Sequence, residues 1–303
     1  MGNGNMLHPD RLLPEDPRTR DIARELYGSV RSLPIISPHG HTDPAWFAEN
    51  KPFGNPAELL ITPDHYVFRM LYSQGITLDQ LGITGTSDSR KSITDPRAVW
   101  RLFASNYHLF RATPSRIWLD HVFFEIFDFD VPLSGDTSDV YFDRIQALLG
   151  TEEFLPRHLF DKFNIELLAT TESPLDELIH HNTIIASDWD GRVITTFRPD
   201  PVTDPEFEGF STNVTLLGAL TGRDTASFQE YLAALQDRRQ YFQARGATAT
   251  DHGNPTASTA DLSPSESEHL FHKILTGDFS PFEAERFRAQ MLTEMAKMSL
   301  EDG

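Results

Sequence analysis

The rhythm of apolar and polar positions changes twice along this chain. Ser32–Ser37 (SLPIIS) is a short apolar run that predicts a strand, and it leads directly into PHGHTDP, a Pro/Gly turn. From about Pro44 to Pro156 the rhythm is helical. Tyr66–Gln74 and Ala98–Phe110 carry apolar residues at helical spacing, Thr62 or Asp64 is placed to cap the first, and SGDTSD at 134–139 reads as a loop. Beyond Pro156 short apolar runs alternate with helical stretches. Asn164–Thr170 (NIELLAT) predicts a buried strand, TESP a turn, and Leu175–Ser187 a helix. Arg192–Phe197 (RVITTF) predicts another strand, followed by the turn RPDP and a helix over Ser227–Arg245. GATATDHG then predicts a fourth short strand, with helices over Pro264–Thr276 and Pro281–Leu300.

Strands that alternate with helices argue for βαβ units and a parallel sheet. The four strand candidates all end in polar, chemically useful residues: His39 and His41, Thr170 and Thr171, Arg198, and Asp251 with His252. In a (β/α)8 barrel of the TIM type the active site forms at the C-terminal ends of the strands. The pattern therefore predicts an α/β chain with the first four βα units of such a barrel over 1–43 and 157–303, and a helical insertion after the first strand over 44–156. Four units amount to half a barrel. They leave sheet edges and an apolar face that a longer chain or another copy in a homo-oligomer would cover. Residues 1–303 by themselves are expected to show little turnover.

Composition narrows the function classes. The net charge is −19, from 45 acids against 26 bases, with no concentrated basic footprint, so nucleic acid is not an expected partner. An anionic substrate would be repelled at long range and would need specific arginines close by. There is no cysteine, which excludes disulfides, thiolate metal sites and a cysteine nucleophile. No apolar run approaches the length of a membrane span, and MGNGNMLHPDRLLPEDPRTR has no apolar leader pattern, so the cytoplasm is the expected compartment.

His39-Gly40-His41 places two imidazoles two residues apart, on one side of an extended segment, where both can reach one divalent cation such as zinc. Twelve histidines make a chance HxH triplet common, so its position after a buried strand is what gives it weight. Asp64-His65-Tyr66 opens a predicted helix: either Asp64 caps and Tyr66 packs, or the imidazole and phenol project into a site. Arg198, in FRPD, is either a surface turn residue or a planar fork for a carboxylate. Asp251-His252-Gly253 suits proton transfer, or is an Asx-type turn before glycine. His180-His181 lies inside a predicted helix and reads as structural.

Several stretches, in order along nearly the whole chain, resemble one family. LHPDRLLP, PHGHTDP, TPDHY with FRMLYSQGI, ATTESPLDELIHH through FRPD, and ATDHG look like uronate isomerase, a branch of the amidohydrolase superfamily. The resemblance implies a distorted (β/α)8 barrel and interconversion of D-glucuronate with D-fructuronate and of D-galacturonate with D-tagaturonate. It implies that His39 and His41 hold a divalent metal, commonly zinc. His65 and Tyr66 would line the reacting end of the open-chain sugar acid, Arg198 and His252 would bind substrate, and Asp251 would act in catalysis. A metal-dependent hydrolase using the same His pair, and an inactive sugar-acid-binding remnant, are the alternatives.

Overall fold

The computed structural model describes residues 7–83 and 95–302. The chain divides into two compact units, one of residues 1–34 and 50–163, the other of 35–49 and 164–303. These limits differ from the sequence boundaries at 44 and 156.

The first unit is helical, and its helix starts are written in the sequence. Asp16-Pro17, Asn55-Pro56, Asp95-Pro96 and Thr113-Pro114 each put a capping side chain before a proline. Each cap accepts backbone N–H bonds from the first turn, and proline gives up an N–H that the turn would leave unpaired. The Pro96–Ser105 helix buries Val99, Trp100, Phe103 and Ala104 along one stripe. Its Trp100 indole donates to the Ser138 carbonyl at 2.9 Å, so the largest core side chain leaves no polar atom stranded. Around it Phe103, Tyr107, Phe110 and Phe123 meet mostly edge to face.

The second unit holds a three-stranded sheet in the order β1 (Ile35–Ser37), β2 (Ile165–Glu172), β3 (Arg192–Phe197), parallel throughout. Thr170 pairs with Thr195 and Glu172 with Phe197, so these four side chains share one face. Helices Ile179–Ile185 and Phe228–Gln243 pack on that face: His181 meets Thr170, and the Phe242 ring stands edge-on to Phe197 at 5.1 Å. Thr171 and Thr196 lie on the other face. The short Pro44–Glu49 helix belongs to this unit because Phe47 stacks on Trp189 at 5.7 Å.

Two sequence expectations need correction. The fourth strand is reduced to one parallel bridge between Phe197 and Thr250. Only two backbone bonds hold it, Phe197 N–H to Ala249 and Asp251 N–H to Phe197, and the Ala-Thr-Ala-Thr run has little side-chain area with which to extend the pairing. A helix over Phe210–Thr221 was not expected between RPDP and Ser227. Its NVTLLGAL run is apolar on nearly all sides and so lacks the amphipathic signature of a surface helix. Gly218 sits in it where a Cβ would lie 2.8 Å from the Arg223 carbonyl oxygen, so the close turn after the helix needs glycine there. No helix among the described residues is long and apolar enough to cross a membrane.

Candidate functional site

β1 ends at Ser37, and the chain then turns through Pro38 to present His39 and His41 as exposed side chains. Their ring centroids are 5.1 Å apart and nearly perpendicular. Two imidazoles on one tetrahedral zinc, each nitrogen at about 2.0–2.1 Å, have centroids about 5 Å apart, so the pair is spaced for one cation. The turn is fastened from β2: the Thr171 hydroxyl donates to the Gly40 carbonyl, between the two histidines, at 2.9 Å. Among the described residues no group of three or more His, Asp or Glu is arranged to hold a metal.

Arg198 and Asp251 stand beside His39. The Arg198 backbone N–H bonds to the Glu172 carbonyl, and the Asp251 N–H to the Phe197 carbonyl, which brings the ends of β2, β3 and the Thr250 bridge level. Asp251 Oδ2 lies 4.0 Å from His39 Nδ1 and 3.3 Å from Arg198 Nη1. The guanidinium also gives its Nε–H to Asp200 Oδ2 at 2.6 Å. This bond to Asp200, only partly offset by burial, holds the Arg198 guanidinium above its ordinary pKa range. One cation thus lies between two carboxylates. Its fork is not presented whole to a substrate carboxylate, and the local charge favours donation to neutral oxygens over capture of a third anion.

Asp251 and His252 diverge, as neighbours on an extended segment do. His252 lines a cavity of about 480 Å³ with Thr250, Leu292, Met295, Ala296, Ser299 and Leu300. Burial there pushes its pKa down, against the opposing pull of Asp200 and Asp251. His65 and Tyr66 belong to the helical unit. Asp64 caps their helix, its Oδ1 accepting from Tyr66 N at 2.8 Å and Val67 N at 3.0 Å. Tyr66 is nevertheless not a packing residue, being 77% exposed, and His65 lies edge-on to Phe68 at 5.2 Å.

Sequence reasoning passed over a buried polar network behind the strand ends. Glu172 Oε2 accepts from the Thr170 hydroxyl at 2.9 Å and from the Thr195 hydroxyl, and His181 Nε2 lies 2.9 Å from Thr170 Oγ1. Burial raises the Glu172 carboxyl, with the two hydroxyls opposing, and burial pushes the His181 imidazole down to about 4. The signal was present in Thr170-x-Glu172, two polar residues of one strand face pointing toward the helix that carries His181. His181 is buried within its helix, bonded to the Thr170 hydroxyl that also serves the Glu172 carboxylate. Asp200 was also passed over, because FRPDP reads as a plain turn.

The family model for glucuronate isomerase matches residues 15–303. Uronate isomerase of Xanthomonas euvesicatoria pv. vesicatoria (strain 85-10) is 60% identical over 297 residues, covering 98% of this chain and 63% of the relative. That of Sphingopyxis alaskensis is 61% identical over 301 residues, with the same coverage of each chain. Among solved structures, glucuronate isomerase from Caulobacter crescentus superposes with a TM-score of 0.94 at 55% identity, covering 98% of this chain and 62% of the other. Uronate isomerase from Thermotoga maritima superposes with a TM-score of 0.86 at 26% identity, with the same coverage. The chain spans a little under two thirds of the length of the relatives it matches. Matched from residue 15 to 303 and close to these relatives in both sequence and fold, it belongs to the glucuronate isomerase family.

Proposed function

We propose that this chain supplies the His39, His41, Arg198 and Asp251 part of a uronate isomerase that interconverts D-glucuronate with D-fructuronate, and D-galacturonate with D-tagaturonate. The observation that carries the reading is the meeting of the His pair, 5.1 Å between rings, with the Asp251–Arg198 pair at the C-terminal ends of successive parallel strands. The parallel order β1-β2-β3 followed by the Thr250 bridge is the opening of a (β/α)8 barrel in this reading, and the cytoplasm its place of action.

The reaction moves a carbonyl between C1 and C2, with a proton leaving one carbon and another arriving at its neighbour. His39 and His41 would hold a divalent metal, zinc being the choice that imidazole ligands favour. Such an ion supplies positive charge that stabilises negative charge developing on the enediol oxygens. Arg198, held between Asp200 and Asp251, donates to a sugar hydroxyl or carbonyl oxygen and so fixes the open chain across the strand ends. Asp251 is the carboxylate nearest the His pair and exchanges a proton with the substrate. Tyr66, exposed at the start of its helix, is the group assigned to the C1 end, with His65 beside it.

The test joins residues 1–303 in register to the remaining length of the Xanthomonas euvesicatoria relative, loads the chimera with zinc or manganese, and follows D-glucuronate conversion. Turnover in the ordinary enzymatic range of about 1–1000 per second, abolished by His39→Ala, is the expected result. An inactive chimera beside an active parent, or turnover that survives His39→Ala, contradicts the proposal.

A further inference from the structure

Asp200 is 7% exposed, and it spends its carboxylate on two pieces of chain that end at the site. Oδ2 accepts the Arg198 Nε–H at 2.6 Å. Oδ1 and Oδ2 together accept the Gly253 backbone N–H at 3.0 and 3.1 Å. One buried acid therefore fixes the plane of the Arg198 guanidinium and also pins the turn that follows Asp251. The Nε bond settles which edge of the guanidinium faces the protein and which faces Asp251. The Gly253 bond settles where the backbone goes two residues after Asp251.

The residue at 253 completes this clamp by having no side chain. A Cβ there would lie 2.8 Å from Arg198 Nη2 and 2.9 Å from Asp200 Oδ2, inside the closest approach of real Cβ atoms. Three residues from two strand ends have thus been brought together without spare room. Only one of them, Arg198, faces Asp251.

We propose that Asp200 is a positioning residue, which with Gly253 holds Arg198 and Asp251 in the one relative geometry the sugar-acid site uses. It touches neither substrate nor metal. It acts through Arg198 and through the Asp251–Gly253 turn. The catalytic consequence rests on the isomerase reading above, whereas the clamp itself does not.

Two measurements separate these. In residues 1–303, labelled with ¹⁵N, the Arg198 Nε–H resonance is assigned by its loss in Arg198→Lys. Its proton is expected to exchange slowly with solvent because a buried carboxylate accepts it. Asp200→Asn is expected to shift this resonance and speed its exchange about 10-fold or more, while Asp251→Asn leaves it in place. Gly253→Ala, which keeps every polar group, is expected to shift the same resonance by crowding Nη2. In the chimera, Asp200→Asn and Gly253→Ala are each expected to lower kcat/KM by up to about 100-fold, with zinc affinity unchanged. An Arg198 resonance indifferent to Asp200→Asn overturns the clamp. A resonance that moves while kcat/KM of an active chimera stays constant overturns its positioning role. A chimera with no activity before any substitution counts against the isomerase reading and leaves the resonance test of the clamp intact.

Discussion

The two units of this chain keep different things in their interiors. Among the described residues of the helical unit, the only buried residues outside the apolar and tyrosine core are Ser115 and Ser138. Its core is a run of ring contacts around Trp100, Phe103, Tyr107, Phe110 and Phe123. The sheet unit buries Glu172, His181, Asp200, Arg238, Arg239 and Arg288 together with several threonines. A buried charge or hydroxyl costs stability unless it is bonded, and the sheet unit spends many hydrogen bonds meeting that demand. The lesson is one of purpose. Aromatic packing alone makes a stiff body, whereas polar groups placed to a few tenths of an ångström need strand ends and buried partners to hold them.

If that contrast is sound, the units should fail in different ways. Trp100→Ala removes the largest side chain of the helical core and its bond to the Ser138 carbonyl. The expected loss is about 3–5 kcal/mol of stability, read by hydrogen exchange as lost protection over 95–163. The zinc affinity of His39 and His41 should stay within about threefold of its starting value, less than 1 kcal/mol. Equal loss of protection in both units, or a lost zinc site, would erase the distinction.

A smaller effect probes the polar interior. The imidazole of His181 titrates near 4 in the folded chain, against 6.5 for the ordinary group, because burial disfavours its charged form. Between those values the unfolded chain binds the extra proton, so His181 favours folding above about pH 6.5 and loses that advantage as pH falls toward 4. At about 1.36 kcal/mol per unit this amounts to roughly 3 kcal/mol. Glu172 has the opposite sign: its raised folded value gives stability that is present at low pH and lost as pH rises through that value. Because Glu172 is common to both proteins, His181→Gln isolates the histidine. Urea unfolding at pH 6.5 and pH 4 should show the variant losing less stability on acidification than the parent. Identical losses would remove His181 from the account.

In the helical unit the helical rhythm, the stretches at Tyr66–Gln74 and Ala98–Phe110 and the Asp64 cap were legible, because apolar stripes and caps are local signals, whereas the caps before prolines at Asp16, Asn55, Asp95 and Thr113 went unread. Three of the four strand candidates were legible for the same reason, as short apolar runs bounded by turns. The Phe210–Thr221 helix was not, since it carries apolar residues on its exposed side too, Leu216 and Leu220 among them, and this erases the period that marks a helix. Nor was the weakness of the fourth strand: the run ATAT reads as a strand from its place between turns, while its small side chains bring little area with which to extend the pairing. In the site, His39, His41, Arg198 and Asp251 were found from their places after strands, and the chain brings them together. His252 was paired with Asp251 by adjacency; extended backbone sends the two side chains apart, so that His252 lines a cavity with Leu292 and Met295 while Asp200, Asp251 and Arg198 still act on its charge. Asp200 and Glu172 were passed over, and Thr171 was noted at its strand end without its role, because each acts across the fold on a residue far away in sequence: Gly253, Thr195 and Gly40 respectively.

The central claim is that the strand ends of the sheet unit form a metal-centred sugar-acid site around the histidine pair. Its most direct test is anomalous diffraction from crystals soaked in zinc, with data collected on both sides of the zinc absorption edge. The account predicts a peak about 2.0–2.1 Å from one nitrogen each of His39 and His41, lost in His39→Ala. A peak that avoids this pair and settles on other histidines, or one that survives His39→Ala unchanged, would contradict it.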